Sequence, residues 1–114
     1  MKEIAPGVTL LGYRIVRFTF DATGNREKSG WDVYPEITVV KTPEGKWEGN
    51  LTLTMNFFSE ESRNFAVHLV AQAKFLGENI EGEKFATLCR SQGAALLVHP
   101  LRLFVQDFLS KVYP

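Results

Sequence analysis

The residues able to perform acid, base, nucleophilic or metal chemistry are few and scattered. The chain of 114 residues has two histidines, His68 and His99, and one cysteine, Cys89. Their positions give none of the short His and Cys spacings that hold a metal ion, so we expect no metal site and no cofactor. Glu60 and Glu61 fall in a predicted polar turn, where exposure to solvent would provide no means of shifting a carboxyl pKa for acid catalysis.

Cys89 is better explained by packing than by catalysis. It falls on the apolar side of a predicted helix, together with Phe85 and Leu88. A small apolar core residue fits that position better than a thiol nucleophile paired with a histidine. The glycines are dispersed over turns and strand ends and form no phosphate-binding motif. The sequence therefore predicts a protein that is not an enzyme.

The composition is that of one globular domain spanning residues 1–114. Hydrophobic residues make up 45% and charged residues 23% of the chain, which are ordinary values. Thirteen basic residues balance thirteen acidic ones, seven against seven up to Phe57 and six against six after it. That balance argues against nucleic acid as a partner, because it offers no net positive charge to attract phosphates.

Neither a membrane span nor a secretory signal is predicted. The longest unbroken apolar stretch, Ala94 to Val98, is far shorter than the roughly 20 residues that a membrane-spanning helix needs. Residues Met1 to Val8 lack the basic and then long apolar pattern of a signal peptide. We expect a soluble, cytoplasmic protein.

Two segments alternate apolar and polar residues with the period of a β-strand. The odd positions are apolar from Trp47 to Phe57, and again from Phe65 to Phe75. This period of two predicts two strands with one face in water, joined as an antiparallel hairpin. The turn residues of Thr42 to Gly45 join a preceding strand, Ile37 to Lys41, onto this hairpin.

The first predicted strand, about Leu10 to Phe20, is less regular. The apolar residues Tyr13 and Ile15 stand at odd positions, whereas Val16 and Phe18 stand at even positions, so a regular strand would have apolar residues on both faces. Either both faces of the strand are covered, in which case another chain would cover one of them, or a bulge switches the parity. The segment 21–29 that follows is predicted to be a loop from its composition.

After Gly82 the apolar residues follow the period of a helix. We predict a short helix that Gly93 ends or bends, and a longer helix with Pro100 near its start. More than half of the residues from Leu96 to Tyr113 are apolar, which is more than one sheet face requires. A partner subunit is therefore expected to cover the second side, and burial of three large side chains there contributes roughly 5 to 9 kcal/mol gross. The predicted oligomer interface comprises Tyr13, Ile15, Leu97, Leu101, Phe104 and Phe108.

The predicted fold class follows from this order of elements. Four strands in an antiparallel meander, followed by two helices packed on one face of the sheet, form an α+β domain.

Six aromatic residues are predicted near strand ends and turns, where a groove between the sheet and a loop can form. They are Trp31, Tyr34, Trp47, Phe57, Phe58 and Phe65. They are either core and oligomer contacts or an adaptable apolar surface that binds polypeptide. An extended polypeptide could also add backbone hydrogen bonds at a sheet edge.

Four local strings, in their order and spacing, resemble the SecB protein-export chaperone family. They are Phe18-Thr19-Phe20-Asp21-Ala22, Trp31 followed by Tyr34-Pro35-Glu36-Ile37, Phe75 with Ile80-Glu81-Gly82, and Pro100 with Arg102 or Leu103 running to Ser110-Lys111-Val112-Tyr113-Pro114. The resemblance spans nearly the whole chain and is that of a divergent, shortened relative. It implies a homotetramer built as a dimer of dimers. It also implies an ATP-independent cytoplasmic chaperone for protein export, whose clients are unfolded polypeptides.

The charges of one predicted docking face depart from the family. In SecB proteins an acidic face on the first strand and on the second half of the hairpin binds the translocation ATPase. The matching positions here are Arg17, Asp21, Ala66 and His68, of which only Asp21 is acidic. Exchange of acidic for basic side chains replaces attraction with repulsion, which disfavours docking to that ATPase.

Two other functions compete with a general chaperone. The first is a SecB-like adaptor that binds one dedicated partner and ignores other unfolded proteins. The second is a small-molecule binding protein or enzyme with a pocket between sheet and helix, although the sequence offers no cluster of polar residues to line it.

Overall fold

The computed structural model describes residues 1–21, 30–59 and 65–112, with the backbone alone described for Phe58, Ser59 and Phe65. Five strands come first: β1 (Lys2–Ala5), β2 (Val8–Asp21), β3 (Gly30–Lys41), β4 (Trp47–Ser59) and β5 (Phe65–Gly77). A helical segment follows, made of α1 (Gly82–Leu88), a π-helical turn (Cys89–Gly93) and α2 (Ala94–Val112). The predicted α+β class is confirmed. Residues 22–29 of the predicted loop and the Glu60–Glu61 turn lie outside the described residues.

The strand order differs from the predicted meander. The five strands form one antiparallel sheet in the order β1-β2-β5-β4-β3. Strands β3, β4 and β5 form the predicted meander, but β2 pairs with β5 rather than with β3, which is a Greek-key order. This order places β4 and β5, whose apolar faces are the most regular, at the centre of the sheet. The apolar residues of β2 extend the same face, with Phe18 opposite Leu69 and Phe20 opposite Val67.

Strand β1 was not predicted from the sequence. It pairs with the first residues of β2 through a turn at Pro6 and Gly7. Gly7 has a φ of 81°, and its carbonyl accepts a hydrogen bond from the Glu78 amide at 2.9 Å. A Cβ at this glycine would lie 2.5 Å from the Glu78 carbonyl oxygen. The Pro-Gly pair is the sequence signal that could have revealed this hairpin.

Two bulges explain the irregular pattern of β2. The pairing of β2 with β5 shifts register at Leu11 and again at Val16, so that neither residue has a partner in β5. The parity switches at each shift, and Tyr13, Ile15 and Phe18 therefore all fall on the face of the sheet that carries the core. Of the two alternatives that the sequence left open, the bulge is the one observed. The mixed parity of β2 consequently gives no independent reason to expect a second chain.

The core lies between one face of the sheet and the helical segment, and we call this face the core face. Its buried members are apolar and come from β2, β4, β5 and the helices: Val8, Leu10, Leu51, Leu53, Met55, Val67, Leu69, Ala71, Ala73, Phe75, Phe85, Cys89, Ala94, Leu97, Leu101 and Val105. The helices pack on a single face, as predicted. Polar residues of β4 and β5 alternate with these apolar ones and lie on the opposite side, the outer face.

The two predicted helices form one continuous helical run from Gly82 to Val112. The π-helical turn occupies the place where Gly93 was expected to end or bend the helix, and such turns insert a residue without breaking a helix. A Cβ at Gly93 would lie 2.7 Å from Cζ of Phe75, so glycine allows the turn to approach the central strand closely. Pro100 lies inside α2 rather than near the start of a separate helix. Within the described residues, no helix is long and apolar enough to cross a membrane.

Candidate functional site

An aromatic surface lies where α2 crosses the core face beside strand β3. Trp31 of β3 is directly opposite Phe57 of β4, which places both side chains on the same face. Their rings stack with centroids 5.5 Å apart and planes within 6° of each other. The guanidinium carbon of Arg102, from α2, lies 4.6 Å from the centre of the Trp31 ring. We call these three residues the Trp31 surface.

The Trp31 surface is accessible and carries an uncompensated charge. The side chain of Trp31 is 37% exposed, and Phe57 is partly buried against the core. Among the described residues Arg102 has no ion-pair partner, and its cationic contact is with the Trp31 ring. A cation over an exposed aromatic ring contributes only about 0.5 to 1 kcal/mol. The arginine side chain can therefore move aside at small cost.

Strand β3 adds a second binding feature next to this surface. It is the last strand of the sheet, so one of its edges has no neighbour within the part of the chain that the structure describes. Unpaired amide and carbonyl groups at such an edge can pair with an extended polypeptide. Pro35, in the middle of β3, has no amide hydrogen, and a proline of this kind is tolerated at a sheet edge.

A second aromatic cluster flanks the other side of α2. Phe18 of β2 contacts the rings of Phe104 and Phe108, with centroid distances of 5.4 and 4.8 Å, and Phe20 lies 5.3 Å from Phe108. These edge-to-face pairs fix α2 over the β2 side of the sheet. Phe104 is still 43% exposed. The helix therefore has aromatic groups on both sides, one set mostly structural and the other accessible beside an open strand edge.

Two of the other aromatic candidates, Tyr34 and Trp47, are not part of this surface. Tyr34 lies opposite Thr54 on the outer face and is 56% exposed. Trp47 lies at the far end of β4, where its indole N–H donates a hydrogen bond to the carbonyl of Ile80 at 3.0 Å. That bond gives Trp47 a structural role. The side chains of Phe58 and Phe65 lie outside the described residues.

Two of the predicted interface residues on α2 belong to the core of the chain itself. Leu97 and Leu101 are each 1% exposed, so they present no surface to a second subunit, and that part of the prediction was wrong. The other four predicted residues keep some exposure: Tyr13, Ile15, Phe104 and Phe108. Leu103 is the most exposed large apolar residue of α2.

The four residues of the predicted docking face do lie together. Asp21 is directly opposite Ala66 on the outer face, and His68 is opposite Thr19 in the next row. Arg17, opposite Val70, follows in the row beyond. The Nδ1 atom of His68 is hydrogen-bonded to Oδ1 of Asn56 at 2.7 Å.

Within the part of the chain that the structure describes, the residues with possible chemical reactivity are not assembled into a site. Cys89 is fully buried, and its burial raises the pKa of the thiol to about 12. It is therefore protonated near neutral pH and is packed in the core, as the helical pattern predicts. In the described ranges no three His, Cys, Asp or Glu residues cluster in a way that could hold a metal ion.

The sheet order and the long helical run define a SecB-like fold. The structure is similar to that of the SecB-like chaperone Rv1957 of Mycobacterium tuberculosis, in complex with a ChAD peptide from the Rv1956 HigA1 antitoxin. The TM-score is 0.68 at 16% sequence identity, over 96% of this chain and 83% of that chain. No family model matches the sequence, and no curated protein matches it either. The resemblance predicted from local strings is thus confirmed at the level of the fold, which by itself does not determine function.

Proposed function

We propose that this chain is an ATP-independent chaperone that binds unfolded polypeptide segments on the Trp31 surface. The observation that carries the proposal is the accessible Trp31–Phe57 stack beside the unpaired edge of β3. Burial of apolar groups is not directional, so one aromatic surface can accept side chains of many shapes. Backbone hydrogen bonds at the strand edge would hold the segment extended without reading its sequence.

The movable side chain of Arg102 allows this surface to accept client side chains of different shapes. In the free chain its guanidinium covers one face of the Trp31 ring. A client side chain that packs on this ring displaces the guanidinium, which then returns to water at the rim of the surface. Binding and release in this scheme need no nucleotide, because each step exchanges weak contacts.

A dedicated adaptor is the second candidate function. Its support is the peptide in the similar structure, which comes from one named antitoxin rather than from an unfolded protein in general. In that case the Trp31 surface would bind one extended segment of a partner protein. The contacts would be the same in kind, and the two functions would differ in the range of sequences accepted.

Assembly and location are part of the same proposal. We infer a cytoplasmic homotetramer, a dimer of dimers, in which a second subunit covers the exposed residues Leu103 and Phe104 of α2. A role in protein export fits the fold, but Arg17 and His68 stand where SecB proteins have acidic residues. We therefore infer that this chain does not dock to the translocation ATPase through this face.

An aggregation assay separates a general chaperone from a dedicated adaptor. A chemically unfolded protein, unrelated to this chain, is diluted into buffer without ATP, and light scattering is followed over time. A general chaperone delays the rise in scattering at a near-equimolar ratio, and Trp31→Ala reduces that delay. An adaptor leaves the scattering of unrelated proteins unchanged, which would contradict the first proposal.

A further inference from the structure

A depression of about 630 Å³ lies on the outer face, away from the Trp31 surface. Its floor is Gly12 of β2, where an added Cβ would meet no atom within 4 Å. Two rows of paired residues cross it: Gly12, Lys74 and Asn50 in one row, and Arg14, Gln72 and Thr52 in the next. The absence of a side chain at Gly12 thus opens a hollow between strands that are otherwise covered by polar side chains.

Leu11 lines one side of this depression, and the polar side chains around it share one chemical property. Arg14 and Lys74 are cations, and neither has an ion-pair partner within the described residues. Asn50, Gln72 and Thr52 add amide and hydroxyl donors, and no carboxylate lines the depression among the residues described. All these groups can donate hydrogen bonds to an anionic oxygen, and the two cations add charge.

The charges of the outer face are unevenly distributed. On β2 and β5, Arg17, Arg14 and Lys74 occupy three consecutive rows, and the acidic residue of these two strands, Asp21, lies two rows beyond Arg17. On β3 and β4 the charged residues of this face are all acidic: Asp32, Glu36 and Glu48. The positive charge is therefore localised over the three rows of Arg17, Arg14 and Lys74, although the whole chain has no net charge.

We propose that this depression, with Arg14 and Lys74 as its cationic walls, binds an acidic segment of a partner protein. Its volume can accept one or two carboxylate side chains, and Arg17 extends the positive surface for the next acidic residue. A second copy of this chain fits less well, because a flat sheet face would leave the hollow unfilled. The site is separate from the Trp31 surface and does not depend on it.

A labelled peptide of six glutamates tests this proposal. The peptide contains no apolar residue that could bind on the Trp31 surface instead. Binding is followed by fluorescence anisotropy at low ionic strength, where exposed charges are least screened. We expect Arg14→Gln with Lys74→Gln to weaken binding by about tenfold, because two charge-assisted contacts are lost. The matched control, Lys84→Gln with Arg90→Gln, removes the same net charge from the exposed side of the helical run and should leave the affinity within about twofold.

A second variant fills the hollow without changing any charge. Gly12→Leu places a side chain in open space, so we expect the fold, checked by circular dichroism, to be retained and the peptide affinity to fall by about threefold or more.

For the charge variants, an equal loss of affinity in the control pair and in the Arg14 and Lys74 pair would overturn the proposal, because attraction would then depend on net charge alone.

Two other results would also overturn the proposal. One is an affinity for the peptide that Gly12→Leu leaves unchanged. The other is self-association of the wild-type chain, measured by sedimentation, that disappears when Arg14 and Lys74 are replaced. The latter would assign the outer face to a second copy instead of an acidic partner.

Discussion

The Trp31 surface makes a quantitative prediction for the loss of its indole ring. The side chain of Trp31 is 37% exposed, which corresponds to about 90 Å² if a tryptophan side chain has about 250 Å² in all. At about 25 cal/mol per Å², complete coverage by a client contributes about 2 kcal/mol. Trp31→Ala should therefore weaken client binding by up to about 30-fold. This is an upper limit, because removal of the indole exposes the ring of Phe57, which can replace part of the lost contact.

The assay measures the fluorescence of Trp31 and the affinity of a peptide, and its control variant lies on the same strand as Trp31. Trp47→Phe leaves Trp31 as the sole tryptophan, so its emission should shift to the blue when a tryptophan-free apolar peptide covers the ring. The affinity of the same peptide for Trp31→Ala is then measured by anisotropy. Tyr34→Ala is the matched control, because Tyr34 is a more exposed aromatic on the same strand but on the outer face. An affinity that Trp31→Ala leaves within twofold, or that Tyr34→Ala lowers more, would refute the proposed location.

Three further predictions concern assembly, packing and the buried thiol. Phe104→Asp adds a charge to the exposed part of α2, so the native mass in light scattering should fall or the protein should become insoluble; an unchanged oligomer mass would count against this helix as an interface. Gly93→Ala places a Cβ 2.7 Å from Cζ of Phe75, and this overpacking should cost about 1 to 3 kcal/mol in urea unfolding. Gly12→Ala is the control, and an equal loss there would contradict the packing argument. Burial raises the pKa of the Cys89 thiol to about 12 from its ordinary value of 9.0, so the folded protein should resist thiol reagents at pH 8. Because the unfolded thiol ionises near that ordinary value, the free energy of unfolding should decrease as the pH rises above about 9. Fast labelling without unfolding would show that the thiol is accessible.

The central hairpin could be predicted from the sequence because its physical cause is local. Strands β4 and β5 each bury one face and expose the other, so their side chains alternate in the sequence as they do in space. The helical period after Gly82 has the same kind of local cause. Both signals identified the correct elements. The close approach of Gly93 to Phe75 is a tertiary contact that no local pattern contains.

The pairing of β2 with β5 could not be predicted in this way. It joins residues about 50 positions apart, such as Thr19 and His68, and local patterns do not encode such pairings. Because of the two bulges, the regular apolar face of β2 was not recognised in the sequence. A strand that switches parity twice looks apolar on both sides when its residues are counted in order.

The aromatic candidates could be sorted only in part from the sequence. Trp31 and Phe57 were both candidates for client binding, with core contact as the alternative, and their rings lie in contact, whereas Tyr34 and Trp47 lie elsewhere. Parity alone places Trp31 and Tyr34 on opposite faces of β3, and this was the signal that could have separated them. Arg102 was not predicted as a site residue, because its contact with Trp31 depends on where α2 crosses the sheet.

The apolar stripe on α2 is wider than the sheet beneath it covers, and of the four α2 residues predicted at an interface only Leu97 and Leu101 belong to the buried part of the stripe. Leu97, Leu101 and Val105 form the buried line of the helix, and the excess is the adjacent line that includes Leu103 and Phe104. Sequence periodicity gives the width of a stripe but not the position of the sheet beneath it.

Photo-crosslinking tests most directly whether unfolded polypeptide binds beside α2. A photoreactive phenylalanine is placed at either position 31 or position 34, and each protein is mixed with the same chemically unfolded client before illumination. We predict crosslinks from position 31 and none above background from position 34, because only Trp31 lies beside α2 on the core face. Crosslinks from position 34 alone, or suppression of aggregation without crosslinks from position 31, would contradict the proposed binding surface.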